Sequence, residues 1–203
     1  RRALHAGGTR PTARRAGMEW VDRMNRNYAV EHGGDSALEA RIRSYELAAN
    51  MQLSVPEAVD LKGESEATRR LYGLDEKETG PLARRCLLAR RLLERGVRFV
   101  QVYHGASGKD WDAHGDLNGN HSNMAREYDQ PVAALLKDLD ARGLLADTLV
   151  MGVTEFGRTP VAQGAGKRGR DHHPTCFTCW LAGAGVRHGV AYGESDELGY
   201  RPA

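Results

Sequence analysis

The amino-acid sequence predicts an α/β fold with a largely parallel sheet, preceded by a helical segment. Three observations carry this expectation. Apolar residues recur at helical spacing up to about residue 95. Beyond that point, short apolar stretches rich in β-branched residues flank a further helical stretch. Two helix closures, Leu93-Glu94-Arg95-Gly96-Val97 and Asp140-Ala141-Arg142-Gly143-Leu144, each lead into such a stretch, giving helix–strand–helix–strand order.

The elements follow in order. From Met18 to about Glu31, Val21, Met24 and Tyr28 fall on one helical stripe, which His32-Gly33-Gly34 stops. Asp35 or Ser36 caps the next helix, and Ser36 with Glu39 has capping-box spacing. Leu38, Ile42, Tyr45 and Ala49 mark its apolar stripe, which is expected to end before Pro56. A short helix from about Glu64 to Tyr72 is closed by Gly73, and another, marked by Leu82, Cys86, Ala89 and Leu93, is ended by Gly96. Val97 to Tyr103 is the strongest strand signal so far, and a polar loop runs from His104 to about Asn123. Tyr128, Val132, Leu135 and Leu139 mark a helix with Arg142 in its last turn and Gly143 just past it. Thr148 to Val153 reads as a short strand buried on both faces of a parallel sheet. A Gly-rich polar loop from Thr154 to Pro174 precedes a third strand, Cys176 to Leu181.

Composition narrows the class. The chain has 203 residues, 40% apolar and 28% charged, which is globular and long enough for a real core. No apolar run approaches the roughly 20 residues that span a bilayer, so no membrane partner is expected. Three cysteines are too few for a disulfide scaffold. The net charge of +2 gives no overall basic character, so no nucleic-acid partner is expected either. Residues 1–17 hold Arg1, Arg2, Arg10, Arg14 and Arg15 with no acid, and read as a disordered or fragment-edge leader. Residues 18–95 read as helical scaffold and 96–203 as the α/β part carrying the reactive side chains.

In a parallel sheet, ligands gather at the carboxyl ends of strands. Five of the eight histidines, His104, His114, His121, His172 and His173, lie between positions 104 and 173, where three loops follow a strand or lie beside one. The first loop reads Lys109-Asp-Trp-Asp-Ala-His-Gly-Asp116, the second Thr154-Glu-Phe-Gly-Arg-Thr-Pro160, the third Gly169-Arg-Asp-His-His-Pro174. Carboxylate plus imidazole suits Zn²⁺, Mn²⁺ or Fe, whereas Ca²⁺ and Mg²⁺ prefer oxygen alone. Asp112, His114, Glu155 and one of His172 and His173 are the expected metal ligands. His172 and His173 point opposite ways in extended chain, so only one of them reaches the ion. Arg158 presents a planar fork suited to phosphate or sulfate oxygens, and is the expected catalytic charge stabiliser. Cys176-Phe-Thr-Cys179 lacks the second pair a zinc ribbon needs, so both cysteines, like Cys86, read as small buried residues. Gly164-x-Gly166-x-x-Gly169 has dinucleotide spacing but neither the strand before it nor the helix after it.

The stretches Arg95–Tyr103, Trp111–His114, Asp147–Val150, Glu155–Pro160, Gly169–Pro174 and Trp180–Gly185, with Tyr192–Tyr200, resemble the domain of unknown function 1501 family. The likeness spans about residues 18–200, and it places the chain in the sulfatase-like branch of the alkaline phosphatase superfamily. It implies an αβα sandwich, here incomplete, and a divalent-metal site, with Zn²⁺ or Mn²⁺ first and Ca²⁺ or Mg²⁺ the alternative. It implies hydrolysis of phosphate or sulfate esters. Asp112 and His114 resemble the pair before the family's central helix, Glu155 stands where an acid precedes a His in related enzymes, and His172 resembles the later ligand. Phe156 replaces that His, which removes one ligand of a second metal. The chain resembles the second half of a longer protein, expected to be inactive alone, with Thr154 and Ser107 the only nearby hydroxyls. A twin-arginine export signal belongs to many relatives, but Arg1-Arg2 has no apolar region behind it. The alternative expectation is a non-catalytic metal-bearing relative that binds sulfated or phosphorylated polymers.

Overall fold

A computed structural model of the chain describes residues 11–31, 36–105 and 110–203. It divides into two compact units, residues 1–60 and 61–203.

In the first unit, α1 (Pro11–Glu31) and α2 (Ser36–Val59) pack against each other. The stripe that begins at Met18 in the sequence pattern extends back to Pro11, a residue favoured at the first helical position. Helix α2 runs through Pro56 rather than stopping before it. The predicted cap at Asp35 lies outside the described residues. Arg26 grips Asp22 one turn away through two hydrogen bonds of 3.0 and 2.6 Å.

In the second unit, a 3-10 turn (Leu61–Gly63) leads into α3 (Glu66–Tyr72), α4 (Gly80–Glu94) and α5 (Leu117–Ala141). The Ser65 hydroxyl accepts the Thr68 amide at 3.1 Å and starts α3. Gly73 ends it at φ 65°, where a Cβ would also collide with Thr79 and Gln130. Gln130 of α5 donates to the carbonyls of Arg70 and Leu71 at 3.0 and 3.2 Å, satisfying the end of α3. The apolar core lies where α3, α4 and α5 meet, around Tyr72, Leu74, Leu87, Leu135 and Leu139. Cys86 belongs to this core, and burial pushes its thiol up to about 12.

A buried ionic network locks the same three helices. Arg90, whose side chain is 4% exposed, contacts Glu64 and Glu94 at 2.7 Å and Asp138 at 3.1 Å. Asp138 also accepts the Tyr72 hydroxyl at 3.0 Å and Arg142 at 2.7 Å. Burial pushes the Glu64 carboxyl up, but hydrogen bonds from Arg91 and Arg90 outweigh it and hold it below its usual value.

The predicted parallel sheet is corrected here. Among the described residues the strands are β1 (Val150–Gly152), β2 (Gly157–Ala162), β3 (Arg170–His173) and β4 (Trp180–Ala182). They form two small antiparallel pairs, β1 with β4 and β2 with β3. A parallel pair needs a crossover, usually a helix, and no helix follows α5 among the described residues. The αβα sandwich therefore does not describe this structure. Val97 to Tyr103 forms no strand. It passes the core through Val102, Phe99 is exposed, and Arg85 donates to the Tyr103 carbonyl at 2.8 Å. The expected third strand shrinks to β4, with Cys176 half-buried and Cys179 exposed instead of buried. No helix among the described residues is long and apolar enough to cross a membrane.

Each small sheet has its own seat. In β1–β4, Val150 packs on the helical core while Met151 is exposed. The Trp180 ring lies over Gly152, a place no Cβ could share, and its indole donates to the Tyr128 hydroxyl of α5 at 3.2 Å. The β2–β3 hairpin lies instead against the loop that precedes α5. The Arg170 amide donates to the Ala113 carbonyl at 3.0 Å, and the Leu117 amide to the Arg168 carbonyl at 3.3 Å.

Candidate metal centre

Two segments far apart in sequence meet at this junction. The first is the loop at residues 110–116. The Asp110 carboxylate accepts the Asp112 amide at 3.0 Å, and Asn120 of α5 donates to the Asp110 carbonyl at 3.0 Å. Trp111 anchors the loop. Its indole donates to His104 Nδ1 at 3.1 Å, and its ring meets His104, His121 and Tyr128 edge-on. The second segment is the β2–β3 hairpin, which approaches so closely that a Cβ on Gly169 would run into the His114 carbonyl.

The junction brings together Asp112, His114 and His172. Asp112 Oδ1 lies 2.9 Å from His114 Nε2 and 3.0 Å from His172 Nε2, and the two imidazole nitrogens are 3.2 Å apart. Two ligands at right angles on a metal with bonds of about 2.1 Å are about 3.0 Å apart, and at the tetrahedral angle about 3.4 Å. All three separations fall near the right-angle value. One carboxylate and two imidazoles form a triangular face, a donor set that fits a divalent transition metal and leaves positions opposite for water or substrate.

The surroundings hold each donor in place. Arg158 of β2 donates from Nη2 to Asp112 Oδ1 at 2.6 Å and to the Trp111 carbonyl at 3.3 Å, and from Nη1 to the Arg170 carbonyl at 3.2 Å. The Arg158 guanidinium first, and His172 second, hold the Asp112 carboxyl down at about 2, so it is ionised at every physiological pH. His114 Nδ1 meets Gln163 Oε1 at 2.6 Å. Phe156 stacks on the His172 ring at 4.0 Å between centroids, and the Arg158 guanidinium lies 5.7 Å from the Phe156 centroid.

Not every expected residue joins. Glu155 stands outside the cluster, with Thr154 Oγ1 facing its carboxylate at 3.4 Å. The Thr154 hydroxyl donates to the Phe156 carbonyl at 2.9 Å. Ser107 lies outside the described residues. His173 is buried outside the cluster, with Nδ1 at 3.3 Å from the Thr175 hydroxyl and its ring centroid 6.1 Å from that of Tyr200. Two contributors, Gln163 and Trp111, were not singled out by residue type. The signal that could have found Trp111 is its position directly before Asp112, at the end of a polar loop that needs an anchor. The Gly-rich run around Gln163 gave no such signal.

A three-ligand constellation on a helical scaffold defines a candidate metal-binding domain. The chain matches the protein family of unknown function DUF1501 over residues 3–203, and it belongs to that family. No curated protein and no solved structure matches it.

Proposed function

We propose that the chain supplies the divalent-metal centre of a hydrolase-like protein of the sulfatase and alkaline phosphatase type, acting on phosphate or sulfate esters. The observation that carries this reading is the triangle of Asp112, His114 and His172 beside Arg158. Zn²⁺ or Mn²⁺ suits the mixed oxygen and nitrogen set better than Ca²⁺ or Mg²⁺. When bound, such an ion polarises an ester oxygen and acidifies water. Asp112 brings the negative charge, and the two imidazoles bring neutral nitrogen donors. Arg158 holds the Asp112 carboxyl low and brings positive charge beside it, which suits an anionic ester.

The test is titration of the full chain with Zn²⁺ and Mn²⁺, followed by elemental analysis. One ion per chain is expected, with binding lost in Asp112→Ala, His114→Ala and His172→Ala and kept in Glu155→Gln. No stoichiometric uptake, or uptake that ignores His172→Ala, overturns the reading. The polymer-binding alternative is favoured by one observation: the three ligand side chains are about as open as surface groups, at 46%, 38% and 42% exposed for Asp112, His114 and His172. Retention on sulfated polysaccharide together with background ester hydrolysis in the metal-loaded protein selects it.

A further inference from the structure

The geometry points to Gln163 as the residue that positions His114 and chooses its tautomer. This inference rests on the metal reading above and adds a residue to it. Gln163 follows β2, and its main chain is fixed by a bond from its amide to the Gly169 carbonyl at 3.1 Å. Its side-chain oxygen meets His114 Nδ1 at 2.6 Å. An amide oxygen only accepts, so His114 Nδ1 carries the hydrogen. The ring is thereby held with its Nε2 toward Asp112 Oδ1 at 2.9 Å, on the side where the metal would be held.

Ligating imidazoles commonly donate their other N–H to an oxygen that fixes ring and tautomer. Gln163 does this with a neutral group. A carboxylate there would orient the ring equally well but would cancel one positive charge of the centre. The amide leaves a divalent ion and a single carboxylate with net positive charge, as an anionic ester requires.

The test has two readouts on the full chain. In the metal-free protein at neutral pH, long-range ¹H–¹⁵N NMR, with His114 assigned through His114→Gln, is expected to show the Nδ1–H tautomer. In Gln163→Leu that signal is expected to shift toward Nε2–H. With Zn²⁺ alone as probe, Gln163→Leu is expected to weaken binding about 10–100-fold, and Gln163→Glu, which keeps the acceptor, to restore it. An Nε2–H tautomer in the unmodified chain overturns the proposal, as does equal weakening by Leu and Glu, which would mark Gln163 as a turn residue only. Absence of Zn²⁺ binding in the unmodified chain would fell the metal reading by itself, while the tautomer still tests the role of Gln163.

Discussion

Phe156 lies nearly flat on His172, with centroids 4.0 Å apart and ring planes inclined by 27°. The phenyl ring is a platform that fixes the plane of a candidate donor. Phe156→Ala is expected to weaken Zn²⁺ binding about tenfold by freeing that ring, and Phe156→Tyr to keep it, as measured by competition against a metal indicator.

Arg158 lowers the titration of Asp112. The folded carboxyl lies at about 2 against an ordinary 3.8, so its contribution to stability is present above about pH 4 and lost as pH falls toward 2. Arg158→Gln is expected to move the Asp112 titration, followed by ¹³C NMR of the carboxyl, upward toward its ordinary value. An unmoved titration would show that Arg158 is not its main partner.

Close approach at Gly169 is a condition for the triangle. A methyl group there meets the His114 carbonyl, so Gly169→Ala is expected to cost more than 100-fold in metal affinity while the far-ultraviolet helix signal stays near that of the parent. An affinity within a few-fold of the parent would mean that the hairpin shifts without consequence.

His104 ties pH to the anchoring of Trp111. Burial lowers the His104 pKa below 6.5, so the neutral ring is favoured in the folded chain. Stability is therefore full above pH 6.5 and lost as pH falls through the lowered value, with a slope of at most about 1.4 kcal/mol per pH unit for one group. Urea midpoints are expected to fall between pH 7 and 5 in the parent and to fall less in His104→Gln.

Arg90 is the hub of the helical unit. Arg90→Met takes one of two cations from each of the buried Glu64 and Asp138, leaving Arg91 and Arg142 in place, and is expected to destabilise the protein by about 3 kcal/mol in urea unfolding, the low end for a broken buried ion pair.

The helices were legible because their signals are local. The stripe of Tyr128, Val132, Leu135 and Leu139 and the glycines after Tyr72 and Arg142 fix period and stop without reference to any neighbour. The sheet was misread because Leu149-Val150-Met151 looks the same whether one face is covered or both. Here β1 has β4 on one side and leaves Met151 exposed. Strands β2 and β3 hid in a segment of Arg, Thr, Asp and His, whose backbone is held by the partner strand and by the Ala113 carbonyl, not by an apolar pattern. That Asp112 and His114 meet one of His172 and His173 was legible from ligand type on Gly-flanked loops, and the family resemblance pointed to His172. The exclusion of Glu155 was not, because it depends on where the hairpin begins.

The triangle draws on two stretches that leave the ribosome at different times. Asp112 and His114 emerge before α5, whereas His172 appears only after both small sheets have begun. A nascent chain can therefore close its helical core while holding two of the three corners. On the reading proposed above, loading of an ion would be an event late in biosynthesis, when the hairpin folds back and completes the third corner.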